Sequence, residues 1–208
     1  MAHDPALLQA ILEQPADDQL RLIYADWLDE RADPRGEFIR VQLALAGLKH
    51  DDPAYRALFE REVALILQHK EEWFPLRQAF THWECRRGFM DEVHGDAEKF
   101  LDVAETLLAS NPVRIVRLED VDASLERLAE CRPLGRVEKL FLRNWRPTRT
   151  RRSARAPDLR QFVPESPGLS RIPLIEFSGI RGTTDIYQRL QHGQLIEHRA
   201  RPRPRRRR

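Results

Sequence analysis

Cysteine is almost absent from this 208-residue chain: there are two, Cys85 and Cys131, 46 positions apart and without CxxC spacing. That argues against a disulfide scaffold and against a thiolate metal site. The seven histidines, at positions 3, 50, 69, 82, 94, 192 and 198, form neither an HxH nor an HExxH pair, so no metal site is expected. Only nine glycines occur, and they build neither a GxGxxG motif nor a Walker loop. Long apolar runs are also missing. Nothing approaches the roughly 18–20 residues that span a bilayer, and Met1 to Pro5 lacks a basic stretch followed by an apolar one. The expectation is a cytoplasmic protein without a membrane segment. His82, Glu84 and Cys85 stand close together, but no orienting third group or oxyanion motif accompanies them, so the segment is read as a partly buried linker. No catalytic, cofactor-binding or metal-binding residue is expected, and the chain is read as non-enzymatic.

What is abundant is charge, 33% of residues, beside 41% hydrophobic residues, which together indicate a folded protein with a very polar surface. The formal net charge of +2 hides an asymmetry. Residues 1–135 carry 16 Lys/Arg against 27 Asp/Glu, whereas residues 136–208 carry 19 against 6. Arg199, Arg201, Arg203, Arg205, Arg206, Arg207 and Arg208, interrupted by Pro202 and Pro204, make a tail that cannot bury apolar surface. Residues 199–208 are therefore expected to be disordered. Weak, non-specific nucleic-acid binding through these arginines is the alternative function, since no aromatic is there to stack on bases.

The N-terminal third reads as four helices. Leu7, Leu8, Ile11 and Leu12 form one stripe ending near Gln14-Pro15. Asp17 or Asp18 caps a second helix in which Leu20, Ile23, Tyr24, Trp27 and Leu28 recur at helical spacing, with Trp27 the expected buried keystone. Asp26, Asp33, Arg35 and Arg40 are expected to form a local ion-pair and capping network around the following turn. A third helix starts near Glu37, and Asp52-Pro53 opens a fourth carrying Tyr55, Leu58, Phe59, Val63, Ile66 and Leu67.

The stretch from Asp17-Asp18 through Tyr24, Asp26-Trp27-Leu28, Glu30-Arg31 and Asp33-Pro34-Arg35-Gly36-Glu37-Phe38-Ile39-Arg40 to Gln42 resembles the signature of the bacterial repeat-companion domain family, D-D-x-x-R-L-x-Y-A-D-W-L-E-E-R-G-D-P-R-G-E-F-I-R-x-Q. Ala32 stands where that family has Gly, so a left-handed residue after the second helix would be strained or absent. The resemblance implies a helical companion module followed by leucine-rich repeats. It brings no established activity or catalytic residues.

After residue 85 the pattern changes. Arg86 to Val93 reads as a strand, and a helix starting at Asp96 carries Phe100, Ala104, Leu107 and Leu108. The framework Val113-x-x-Val116-x-Leu118-x-x-Val121 recurs as Val137, Leu140, Leu142, Trp145 after 24 residues and as Ile172, Ile175, Phe177, Ile180 after a further 35. Residues 146–157 fit an insertion, and Leu125, Leu128 and Cys131 suit a helical return. Val121, Trp145 and Ile180 occupy the repeat's asparagine position, so the array is degenerate. Side chains between the framework positions point outward and align Ile115 with Lys139 and Leu174, Arg117 with Phe141 and Glu176, and Glu119 with Arg143 and Ser178. A shift of one residue would instead put Phe141 in the core.

The resulting expectation is an α+β protein. Residues 1–80 form a helical repeat-companion module, residues 81–198 a short, degenerate leucine-rich-repeat-like α/β solenoid, and residues 199–208 the basic tail. Its expected function is to bind an unidentified protein partner through Arg117, Lys139, Phe141, Arg143 and Glu176, because exposed aromatics ringed by polar groups match binding hot spots.

Overall fold

The computed structural model describes residues 4–121, 123–143, 159–181 and 184–202. Four helices come first: α1 (Pro5–Glu13), α2 (Asp18–Asp29), α3 (Arg35–Gly47) and α4 (Pro53–Trp73), followed by a 3-10 turn at Pro75–Ala79. Then come β1 (His82–Arg86), β2 (Phe89–Asp96), α5 (Ala97–Ser110), β3 (Ile115–Glu119), α6 (Leu125–Glu130), a 3-10 turn at Arg132–Arg136 and β4 (Lys139–Leu142). The order ends with α7 (Leu159–Glu165), β5 (Leu174–Arg181), β6 (Thr184–Gln191) and β7 (Gln194–Pro202). The chain is thus mixed helix and sheet, with a helical N-terminal region and one mixed sheet whose strands lie in the order β1 to β7.

Two compact units share the chain. The first comprises residues up to Gln78 together with Glu84–Asp91 and Ala109–Pro112. Three of its helices, α1, α2 and α4, begin where short carboxylates satisfy the first free N–H groups: Asp4 accepts from Ala6 and Leu7, Asp17 from Gln19, and Asp52 from Ala54. Ile11, Tyr24, Ala25, Leu28, Ile39 and Phe89 form its core cluster, with Leu7, Leu8, Leu20, Trp27 and Leu43 packed around it. The expected keystone is displaced by one turn. Tyr24 is fully buried, while Trp27 is half-buried, stacked on Tyr24 at 5.8 Å and covered by the Arg31 guanidinium at 3.9 Å. Ile23 is 50% exposed, so the buried stripe of α2 is Arg21, Tyr24, Ala25 and Leu28.

The α2–α3 turn is a Schellman motif: Asp33 N–H bonds the Leu28 carbonyl at 3.0 Å and Ala32 N–H the Asp29 carbonyl at 2.9 Å. Ala32 occupies its left-handed position with φ 53°. The strained alternative considered for Ala32 is therefore the one adopted. Gly36 answers a second demand, because a Cβ there would run into the Asp29 carboxylate and lie 2.7 Å from the Ala25 carbonyl. α3 can begin that close to α2 only without a side chain.

Arg35 corrects the expected surface network. Arg40 pairs with Asp26 and, at 2.8 Å, with Asp29, and Asp33 accepts the Arg35 backbone N–H at 2.9 Å. The Arg35 guanidinium turns inward instead, 3% exposed, donating to the Gly88 carbonyl and lying over the Phe89 ring at 4.8 Å. Gln42 completes the clasp by accepting the Gly88 N–H at 2.6 Å. Arg87 and Gly88 have φ 55° and 88°, the paired positive values of a two-residue hairpin turn joining β1 to β2. The Cβ of any other residue at Gly88 would overlap Ile39 Cγ1.

The second unit comprises Ala79–Trp83, Glu92–Leu108 and the described residues from Val113 onward. β2, β3, β4 and β5 run parallel, separated in sequence by α5, by α6 with its 3-10 turn, and by α7. Val116 and Leu118, Leu140 and Leu142, and Ile175 and Phe177 are buried, meeting in register with helix residues such as Phe100, Leu107 and Leu128 also buried. Gly168 fits against the end of α6, where its N–H bonds the Ala129 carbonyl at 2.7 Å and a Cβ would lie 2.6 Å from the Leu128 carbonyl. The parallel run stops after β5. The strands β5, β6 and β7 form an antiparallel meander, and His192-Gly193, with φ 48° and 74°, closes β6 onto β7 by a hairpin instead of a helical crossover.

Part of the expected disordered tail is ordered. Arg199 to Pro202 belong to β7, with Tyr187 opposite Arg199 and Thr184 opposite Pro202. The composition argument fails there because strand pairing uses backbone groups, which an Arg-Pro-Ala stretch supplies without burying apolar side chains, and Pro is tolerated at the end of an edge strand. Residues 203–208, the insertion at 146–157 and Trp145 lie outside the described residues.

Candidate binding surface on the sheet

Side chains alternate along each strand, so burying Val116, Leu118, Leu140, Leu142, Ile175 and Phe177 turns the residues between them to the other face. Register then lines them up. His94 lies opposite Arg117, Arg117 opposite Phe141, Phe141 opposite Glu176, Glu176 opposite Arg189 and Arg189 opposite Glu197, one row crossing six strands. A second row, two residues earlier on the parallel strands, reads Glu92, Ile115, Lys139 and Leu174 and continues across the antiparallel strands as Gln191 and Gln194. Arg117, Phe141 and Glu176 thus share a row, and Lys139 is adjacent with Ile115 and Leu174 beside it. Arg143 follows β4, its N–H continuing the ladder to the Leu118 carbonyl at 2.7 Å.

The centre of the surface is a charge cluster. Glu92, 7% exposed, accepts from Arg117 Nε and from His94 Nε2, both at 2.6 Å. Burial alone pushes its carboxyl up, but the hydrogen bonds from Arg117 and His94 outweigh this and hold it below the ordinary carboxylate value. Arg117 then extends its guanidinium over the Phe141 ring at 3.9 Å, so the half-buried aromatic carries a cation on its face. Glu176 is held by Arg189 at 3.3 Å. His82 packs against His94 with ring centroids 4.8 Å apart.

The framework residues Arg117, Phe141 and Glu176 were legible; Glu92, His94 and Arg189 were not among the expected site. Their neighbours are set by β2 pairing with β3 and by a hairpin after β5. The dipeptide His192-Gly193 marks only the later β6–β7 hairpin, which does not set Arg189 beside Glu176.

Other candidates separate. Burial pushes the half-buried Cys85 thiol up to about 12, although the hydrogen bond from Gln42 Nε2, 3.3 Å from the sulfur, pulls the other way. Among the described residues no group of three His, Cys, Asp or Glu side chains could hold a metal ion, and no helix is long and apolar enough to cross a membrane. Arg203 and Arg205 to Arg208 lie outside the described residues; the backbones of Arg199 and Arg201 are in β7.

Comparison with protein-family models, with curated proteins and with solved structures finds no match to this chain.

Proposed function

We propose that the chain is a non-enzymatic, cytoplasmic protein-interaction module, a helical repeat-companion-like unit followed by degenerate leucine-rich-repeat-like strands, which holds a partner on the sheet face carrying Arg117, Lys139, Phe141, Arg143 and Glu176. The observation that supports this reading is the in-register row His94, Arg117, Phe141, Glu176, Arg189: a parallel sheet presents such a row at fixed spacing while its other face is occupied by core. An aromatic in a polar surround has the composition of a binding hot spot.

The test is affinity capture from cells that express the chain natively, comparing the parent, Phe141→Ser and a deletion of residues 203–208. The expected result is one set of partners common to parent and deletion and lost with Phe141→Ser. Identical recovery by all three removes the face from consideration, and loss only with the deletion transfers the function to the arginine tail and to polyanion binding.

A further inference from the structure

The carboxylates in the centre of the sheet face are already neutralised within it. Glu92 is bound by Arg117 and His94, and Glu176 by Arg189. Two cations are left over. Among the described residues Lys139 and Arg143, both exposed, enter no ion pair, and they flank Phe141, Lys139 opening β4 and Arg143 directly following it. At about 3.3 Å per residue they stand roughly 13 Å apart along the strand, with Phe141 midway. Lys139 is bordered in register by half-buried Ile115 and Leu174, an apolar surround in which a carboxylate contact is less screened. Exposed Glu119 follows Leu118, the partner of Leu142, and so stands beside Arg143. Lys139 therefore has the stronger unmet demand for a negative charge.

We propose that this face takes an extended acidic peptide laid along β4, with carboxylates four residues apart on Lys139 and Arg143 and an aliphatic residue midway against Phe141 and the Arg117 stem. The proposal rests on the interaction reading above and specifies its partner. A nucleic acid fits less well: Glu119, exposed, stands beside Arg143 on the same face, and the Phe141 ring already has a guanidinium over it. The spacing suits a strand, in which alternate side chains face one way about 6.6 Å apart.

The experiment is fluorescence anisotropy of a labelled peptide containing Glu-Ser-Leu-Ser-Glu, titrated with the full chain, beside the same peptide with Gln for both Glu. The double variant Lys139→Glu/Arg143→Glu is tested next, after its thermal melt has been matched to the parent; Lys139→Gln serves as a second, milder variant. The expected results are binding of the acidic peptide, about tenfold weaker for the Gln peptide and for the double variant, and weakening between about 0.05 and 0.5 M salt. A larger loss is expected with Lys139→Gln than with Arg143→Gln. Equal binding of the Glu and Gln peptides, or unchanged affinity in the double variant, overturns the proposal. So does displacement of the peptide by a random single-stranded oligonucleotide whose own binding falls with Lys139→Glu. If the peptides fail while Phe141→Ser still abolishes partner capture, the acidic-peptide proposal falls and the interaction reading stands.

Discussion

A left-handed alanine costs about 1 kcal/mol relative to glycine because its Cβ crowds the backbone. Ala32 accepts that cost at φ 53°, where the Schellman bonds from Ala32 and Asp33 fix the turn between α2 and α3. Ala32→Gly should stabilise the fold by about 0.5 kcal/mol after the larger unfolded-state entropy of glycine is deducted, a gain of a few degrees in thermal melting. A lower melting temperature would mean that the residue is not left-handed in solution. Glu92 is the other informative residue. Its carboxyl is held below the ordinary value, so its contribution to stability is complete above about pH 4.5, the unfolded value, and is lost as pH falls through the folded value. Glu92→Gln should lower stability at pH 7 by about 1 kcal/mol, with the difference from the parent shrinking below pH 4.5 in denaturant titrations. A difference independent of pH would show that the carboxylate is not ionised in the pair with Arg117.

At the scale of elements, helical spacing identified α4 but not which of its stripes is buried. Leu65 and Trp73 are inside, whereas Phe59, Val63 and Leu67, at i, i+4 and i+8, are 47%, 39% and 64% exposed. Phe59→Gln and Leu67→Gln should each change stability by no more than about 0.5 kcal/mol, measured by urea unfolding. A drop of several kcal/mol would place that stripe in contact with something. On β4, Leu140 and Leu142 face the core and Phe141 the other way, so the alternative shifted by one residue does not hold. Phe141→Ser should cost roughly 1 kcal/mol from the lost stack with Arg117, against about 3 to 5 kcal/mol for truncating a core aromatic. Melting curves separate these values.

The whole molecule carries its charge unevenly, and five arginines stand in its last six residues. Deleting residues 203–208 takes away Arg203 and Arg205 to Arg208 and moves the formal net charge from +2 to −3, leaving the β6–β7 pairing of Thr184 with Pro202 intact. Melting temperature should not change, and any low-salt retention on immobilised DNA should disappear. Retention that persists would locate basic binding elsewhere in the chain. A longer deletion, from residue 199, is expected to lower the melting temperature because it removes edge-strand backbone bonds.

Local rules in the sequence determined the caps at Asp17 and Asp52, the helices they open, the strand after Gly88, and the register that sets Arg117 beside Phe141 and Glu176. These depend on neighbours in the chain or on a repeated apolar spacing, which one sequence displays directly. What only the tertiary structure decided depends on distant partners. Arg35 reads as a surface cation until the Gly88 carbonyl, 53 residues away, draws it inside. Tyr24 displaces Trp27 as the buried ring because Phe89 and Ile39 share its core cluster. Glu92 joins the row of outward side chains on the sheet through pairing with Arg117, and Arg199 to Pro202 become strand because β6 offers them a ladder. In each case the free energy comes from a contact whose sequence separation carries no periodic signal, so it is settled only when the chain closes on itself.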